Sequence, residues 1–286
     1  MSVAGAELSP ADLPDADELL GQARSENFTV ANVLLGADTR RHLMAVYGYA
    51  RLVDDVGDEA AGDRGALLDV VESELDAIYA GGVPEHPVMR ELAETVRACA
   101  LPARPFRRLI EANRMDQEVT RYETFTQLLE YCQLSAAPVG ELVLGIFGVA
   151  SRDRIAMSDR ICAGLQIAEH LQDIAEDHAR GRVYLPAEDL VRFGCDDPAI
   201  LSAPANASLR ALIAFEARRA RSLLSSGAPL ARTLSLRPRI AVAGFVAGGR
   251  AALDGLPGGG RDGGQGTPRS RPRALAPAFL RAVMGR

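Results

Sequence analysis

Tryptophan and lysine are absent from the 286 residues, so all 32 fixed positive charges are arginines. Arginine's planar fork can hold a phosphate through two parallel hydrogen bonds, which lysine cannot do. Abundant Arg and Ala also follow from genomic base composition, and both readings stand at this point. Aromatic residues make up only 5% of the chain, and alternating period-two segments are scarce. Together with the abundance of Ala, this disfavours sheets and favours helices. The four cysteines (Cys99, Cys132, Cys162 and Cys195) form no CxxC pair. That excludes a zinc knuckle or a thioredoxin-type site and fits a reduced, cytoplasmic setting. No apolar run approaches the roughly 20 residues of a membrane-spanning helix. The N-terminus lacks the basic-then-apolar pattern of a secretory leader. A net charge of −6 lacks the basic footprint expected of a nucleic-acid binder.

What remains is ordinary globular material, 48% hydrophobic and 24% charged, with ample apolar surface for a core. Residues 1–17 read as a disordered N-terminal segment. Helical spacing then runs through 18–79 with short breaks, and again through 87–99, 106–119, 126–148, 154–179, 206–225 and 239–253. Gly81-Gly82-Val83-Pro84 marks a clear break. We therefore expect one all-α domain over residues 18–254, a Gly/Pro-rich linker over 255–274, and a short C-terminal helix or tail over 275–286. The GGGRDGGQG run in the linker lacks the Gly-Lys-Ser/Thr ending of a P-loop and follows no strand, so it is not read as a phosphate loop.

Two carboxylate clusters stand out. The first is Arg51-Leu52-Val53-Asp54-Asp55-Val56-Gly57-Asp58, and the second is Gln172-Asp173-Ile174-Ala175-Glu176-Asp177. On a helix, Asp54 and Asp58 share one face about 6 Å apart, and so do Asp173 and Asp177. Like charges at that spacing repel unless a cation sits between them. A lone DxxxD is most simply a solvated helix face. Two of them in predominantly apolar helices suit a cradle for Mg²⁺, a hard cation that takes one or two carboxylates and completes its shell with water and phosphate oxygens.

At this point a resemblance enters. Tyr47-Gly48-Tyr49-Ala50-Arg51 through Asp58 resembles the first aspartate-rich motif of the squalene/phytoene synthases. Asp173 through Asp177, followed by Gly181-Arg182-Val183-Tyr184-Leu185-Pro186, resembles the second. Arg121-Tyr122, Phe125, Tyr131-Cys132 and Val139-Gly140 are similar to the region between them. Within the family the chain most resembles the hydroxysqualene synthases of the bacterial hopanoid pathway. The cues are Glu26-Asn27-Phe28, Ser135-Ala136-Ala137-Pro138-Val139-Gly140, and Gln172, where condensing members typically carry Arg. Glu169 stands where many members have Asn; it either adds a metal ligand or repels Asp173.

The resemblance implies a helical bundle of the isoprenoid synthase type around a central apolar cavity. It implies Mg²⁺-dependent conversion of presqualene diphosphate to hydroxysqualene by ionisation, cation rearrangement and a water quench. Asp54, Asp58, Asp173 and Asp177 would bind Mg²⁺, with Asp55 and Glu176 as secondary ligands. Arg51 and Arg182 would contact diphosphate oxygens. Tyr47 and Tyr184 would donate hydrogen bonds to the leaving group, although Tyr184 equally reads as a core residue, and Gln172 would position water or a phosphate oxygen. Phe28, Val139, Gly140, Leu142, Leu165 and Val246 would line the substrate space, and each apolar one also reads as core packing. His42 and His170 read more simply as surface or capping groups. The very apolar C30 substrate implies peripheral contact with the inner leaflet or transfer from a neighbouring squalene-pathway enzyme. Two alternatives remain: a condensing enzyme making presqualene diphosphate, squalene or phytoene, and a non-catalytic helical lipid-binding scaffold.

Overall fold

The computed structural model describes residues 8–16, 19, 36–202 and 204–257. Phe28, most of the N-terminal segment and the linker beyond 257 lie outside the described residues. Twelve α-helices follow one another within them: α1 Ala37–Asp58, α2 Arg64–Tyr79, α3 Pro87–Cys99, α4 Ala103–Glu118, α5 Phe125–Ser135, α6 Ala137–Ile146, α7 Arg152–Gln172, α8 Ile174–Ala179, α9 Ala187–Phe193, α10 Asp197–Ile200, α11 Ala207–Gly227 and α12 Leu236–Asp254. Two 3₁₀ turns, Pro10–Asp12 and Ala228–Thr233, complete the set. Among the described residues there is no strand, only an isolated parallel bridge between Arg121 and Val183. No helix among these residues is long and apolar enough to cross a membrane.

Two helices organise the bundle because each has a long stretch buried on every face. Every residue of α7 from Ile161 to Leu171 is buried, and so is every residue of α1 from Ala45 to Val53. A helix buried on all faces needs neighbours on all faces. α7 packs against α5, α6, α11 and α12, while α1 packs against α2, α3, α4 and α6. Small residues let these backbones close. A Cβ on Gly164 of α7 would meet the Ala220 carbonyl of α11 at 3.0 Å, and one on Gly227 would meet the Met157 carbonyl at 2.6 Å. Neither backbone atom can yield, so only glycine fits either crossing.

Two breaks depart from the expected helices. The stretch 126–148 splits at Ala136 (φ −113°, ψ −45°), with Pro138 in the first turn of α6. Proline has no amide hydrogen to donate and its ring clashes with the preceding turn, so a new helix starts there. The stretch 154–179 breaks at Asp173 (φ −109°, ψ 11°), which caps α7 and precedes α8. The short helices α9 and α10 were not expected from periodicity; they are only 7 and 4 residues long, too short for an amphipathic repeat to register.

A buried ionic cluster fastens α9 to α11. Glu216, on α11, is 1% exposed. Arg219 donates to Glu216 Oε1 at 2.8 Å and to Asp189 of α9. Its guanidinium lies 4.3 Å from the ring centres of both Phe125 and Phe215. Burial, and then the hydrogen bond to the Asp189 carboxylate, push the Glu216 carboxyl up to about 8. An unfolded glutamate titrates near 4.3. The folded state therefore binds the extra proton between those values, and that stabilisation is lost as pH rises through the window. Glu216→Gln, which mimics the protonated form, is expected to lose less stability than the parent between pH 5 and 8. Urea midpoints measured across that range check this; parallel slopes for the two proteins would refute the assignment.

Candidate active site

The first carboxylate motif occupies the C-terminal end of α1, and the second starts at the α7–α8 joint, with Glu176 and Asp177 in the first turn of α8. The end of α1 is the wrong place electrostatically, because a helix C-terminus carries partial negative charge. The last turn of α1 contains no basic residue. Within α1 Arg51 answers Asp55, and further cations come from elsewhere in the fold.

Part of that cation is Arg182. Gly181 adopts φ +79°, a left-handed conformation that glycine takes readily, and turns the chain just after α8. Arg182 N then donates to Asp177 O at 2.9 Å, and Val183 N to Thr120 O at 2.8 Å. Ala187 N and Glu188 N donate to the Tyr122 and Glu123 carbonyls. This ladder holds the second motif's tail against the segment after α4. From there Arg182 Nη1 reaches Asp58 Oδ1 at 2.7 Å, and Arg180 Nη1 lies 3.8 Å from Asp58 Oδ2. The second motif therefore meets the first directly. Burial tends to lower the Arg182 pKa, but Tyr184, Asp58 and Asp116 outweigh it, and the net shift is upward. The guanidinium is permanently charged.

Arg51 is buried and pairs with Asp55 within α1, Nε to Oδ1 2.8 Å. Tyr47 is fully buried in α1. Asp54 accepts from Asn113 Nδ2 at 3.2 Å through Oδ1, while its buried Oδ2 has no hydrogen-bond partner. Burial, followed by the charges of Asp58 and Asp55, raises the Asp54 carboxyl well above the usual range. Burial also lifts Asp55, to about 6, although Arg51 opposes it. Asp173 sits half-buried at the α7–α8 joint, and Glu176, also half-buried, lies 3.7 Å from Arg180. Asp177 is buried, 3.6 Å from His170 Nδ1. Gln172 is exposed as the last residue of α7. Glu169 is buried one turn earlier. His42 lies apart, Nδ1 3.0 Å from Thr95 Oγ1.

Sequence reasoning missed the residue that organises the interior. Asp116, near the end of α4, is buried and accepts from the Tyr131 hydroxyl at 2.6 Å and the Tyr184 hydroxyl at 3.2 Å. Burial raises its carboxyl to about 6, against the pull of those hydrogen bonds and of Arg182. Tyr184 stacks on His170 with ring centres 3.8 Å apart, and Tyr122 and Tyr131 complete the aromatic layer. The Tyr184 hydroxyl, expected at the leaving group, is directed to Asp116. Asn113 and Asp116 are three apart on an amphipathic helix, which by sequence resembles any solvated face. Burial alone distinguishes them.

A cavity opens beside Asp54, walled chiefly by polar side chains: Asn113, Asp116, Tyr131, Ser135 and Gln166. Val139, Leu142, Leu165 and Val246, expected on an apolar wall, are buried core residues outside this lining. Gly140 lies where α6 crosses α7, and any Cβ there would collide with Ser158 and Cys162. Among the described residues no three His, Cys, Asp or Glu groups converge to hold a metal ion unaided. The donor set is nonetheless made of hard oxygens, with one buried carboxylate oxygen unpartnered, which suits a cation whose remaining ligands are water and phosphate.

Residues 22–275 match the family model described as squalene/phytoene synthase. The hydroxysqualene synthase of Rhodopseudomonas palustris is 35% identical over 210 residues, covering 73% of this chain and 71% of that protein. The phytoene synthase of Mycobacterium tuberculosis is 33% identical over 226 residues, covering 77% and 74%. The crystal structure of squalene synthase HpnC from Alicyclobacillus acidocaldarius superposes with a TM-score of 0.75 at 40% identity, covering 85% of this chain and 95% of that one. Two acid-bearing buried helices joined through Arg182, in an all-helical frame matched over most of its length, make this chain a member of the squalene/phytoene synthase family.

Proposed function

We propose that this protein is a Mg²⁺-dependent hydroxysqualene synthase acting on presqualene diphosphate. The observation that carries the reading is the contact between the two motifs through Asp58 and Arg182 at 2.7 Å, which gathers excess carboxylate and arginine in one place. In the proposed reaction the carbon–oxygen bond to diphosphate breaks and its electron pair leaves with the diphosphate. The cyclopropylcarbinyl cation rearranges, water adds, and one proton is released. No reductant is consumed.

Asp54, Asp58, Asp173 and Asp177 would hold Mg²⁺, with Asp55 and Glu176 in support; when bound, the ions supply charge neutralisation for the departing diphosphate. The chain's own part is positioning. Arg51 and Arg182 carry permanent charge beside the acids and can fork onto phosphate oxygens. The aromatic layer of Tyr122, Tyr131, Tyr184 and His170 closes the interior with π faces and few free nucleophiles, which suits a cation in transit. The protein is expected to work in the cytoplasm in peripheral contact with the membrane that holds its apolar substrate.

A condensing activity is the second reading, favoured by relatives named phytoene synthase at comparable identity and by the exposure of Gln172, the position that would separate the two. Product analysis distinguishes them. Presqualene diphosphate with Mg²⁺ is expected to yield hydroxysqualene, and farnesyl diphosphate alone little product; EDTA is expected to abolish diphosphate release. Condensation of farnesyl diphosphate would favour the second reading. No diphosphate release from any prenyl diphosphate would leave only the lipid-binding scaffold.

Arg182→Lys retains the charge but loses the fork. It is expected to lower diphosphate release by roughly one to two orders of magnitude, the loss of one or two charge-assisted hydrogen bonds. The measurement is pyrophosphate release at saturating Mg²⁺, with circular dichroism to confirm folding. A rate equal to the parent's would remove Arg182 from the site.

A further inference from the structure

Three buried oxygens without hydrogen-bond partners belong to side chains lining the same cavity. They are Asp54 Oδ2 on α1, Ser135 Oγ at the end of α5 and Gln166 Oε1 on α7. Gln166 is only 4% exposed. Its amide donates to His170 Nε2 at 3.2 Å, which accounts for one end of the amide and leaves the other. A buried polar group left unpaired costs about 1–3 kcal/mol; Asp54 Oδ2 is assigned above to a cation, and the two others beside it point to a second ligand.

The chemistry of the wall selects that ligand. Two carboxylates, Asp54 and Asp116, together with an amide carbonyl make it rich in acceptors. A diphosphate would be repelled by it, and a hydrocarbon would leave its oxygens unsatisfied. Water brings two donors and needs two to four polar partners; the Ser135 hydroxyl can serve it as donor or acceptor.

We propose that this cavity holds an ordered water bound by Ser135 and Gln166 beside Asp54, and that this water is the nucleophile that quenches the rearranged cation. The inference rests on the hydroxysqualene synthase reading. A lone pair of the water oxygen forms the new carbon–oxygen bond, and the positive charge passes to the resulting oxonium. The oxonium gives a proton to the Tyr131 oxygen as Tyr131 hands its own proton to Asp116 Oδ2, to which it already donates at 2.6 Å. The product leaves neutral and Asp116 ends protonated.

When the water is absent, the same cation can end only by losing a proton to give a polyene. The test is therefore the ratio of hydroxysqualene to polyene per diphosphate released, a quantity that slower ionisation alone does not move. Ser135→Ala and Gln166→Leu are each expected to lower that ratio about fivefold to tenfold, the worth of one hydrogen bond to the nucleophile. Ser135→Thr, which keeps a hydroxyl, is expected to restore it. A crystal structure of the full chain at high resolution is expected to show the water within hydrogen-bond distance of Ser135 Oγ and Gln166 Oε1. An empty cavity, or a water present with unchanged product ratios in both substituted proteins, would overturn the proposal. Failure of the parent reading looks different: the unsubstituted protein would make no alcohol from presqualene diphosphate, whatever the cavity contains.

Discussion

The pairing of Asp58 with Arg182 is the interaction on which the rest of the site depends. α1 delivers three aspartates at its C-terminal end, where the helix dipole already disfavours negative charge and burial removes the water that would otherwise solvate it. An isolated arrangement of that kind would neutralise itself by taking up protons. Instead the chain returns after α8, turns on Gly181 and places a permanently charged guanidinium against Asp58. Even together with Arg51 on Asp55 and Arg180 near Asp58, it does not balance the site. The carboxyls of Asp54, Asp55 and Asp116 all remain shifted upward by burial, so the folded chain still favours added positive charge. That residual demand supports the proposed reading of the motifs as a cation and diphosphate cradle.

Behind the acids lies a second layer with different chemistry. Asp116 takes two tyrosine hydroxyls, and Tyr184 in turn stacks on His170, whose Nδ1 faces Asp177 and whose Nε2 meets Gln166. These contacts link α4, α5, α7 and the tail of the second motif. Few of the polar atoms in this network can move independently, because each is oriented by the next. A cation passing such a wall would meet fixed π faces, with the Tyr131 and Tyr184 hydroxyls already committed as donors to Asp116. Beside it, one small cavity gathers the uncommitted oxygens of Asp54, Ser135 and Gln166.

The scaffold keeps its own ionic cluster away from this layer. Glu216, Asp189 and Arg219 join α11 to α9, and α9 begins directly after Tyr184-Leu185-Pro186. The guanidinium between Phe125 and Phe215 also anchors the start of α5, the helix that ends in Ser135. The cluster thus bears on the site through the elements it fastens. Gly164 and Gly227 act similarly, holding α11 close along α7 so that the acid-bearing end of α7 has a fixed direction.

What the sequence by itself determined was local. Apolar spacing located most of the long helices, and the four-residue spacing of Asp54 with Asp58 and of Asp173 with Asp177 marked both acid clusters, because neighbours on one helix face are set by helical geometry alone. Resemblance to a family added Arg182, Tyr131 and Tyr184 as residues of interest. Other features depended on which surfaces the fold covers. Asp116 and Asn113 have the spacing of a solvated face, and only burial against α1 and α5 makes them part of an interior. Gly140 belongs to a family motif, yet its place is a helix crossing with no room for a Cβ. Gln166 is one of several polar residues in α7 until Ser135 and Asp54 are brought beside it. Spacing along a chain states which side chains share a face. Which faces meet, and so which charges lose their water, is decided by contacts between residues distant in the chain, such as Asp58 with Arg182 and Asp116 with Tyr184, and only the tertiary structure supplies those.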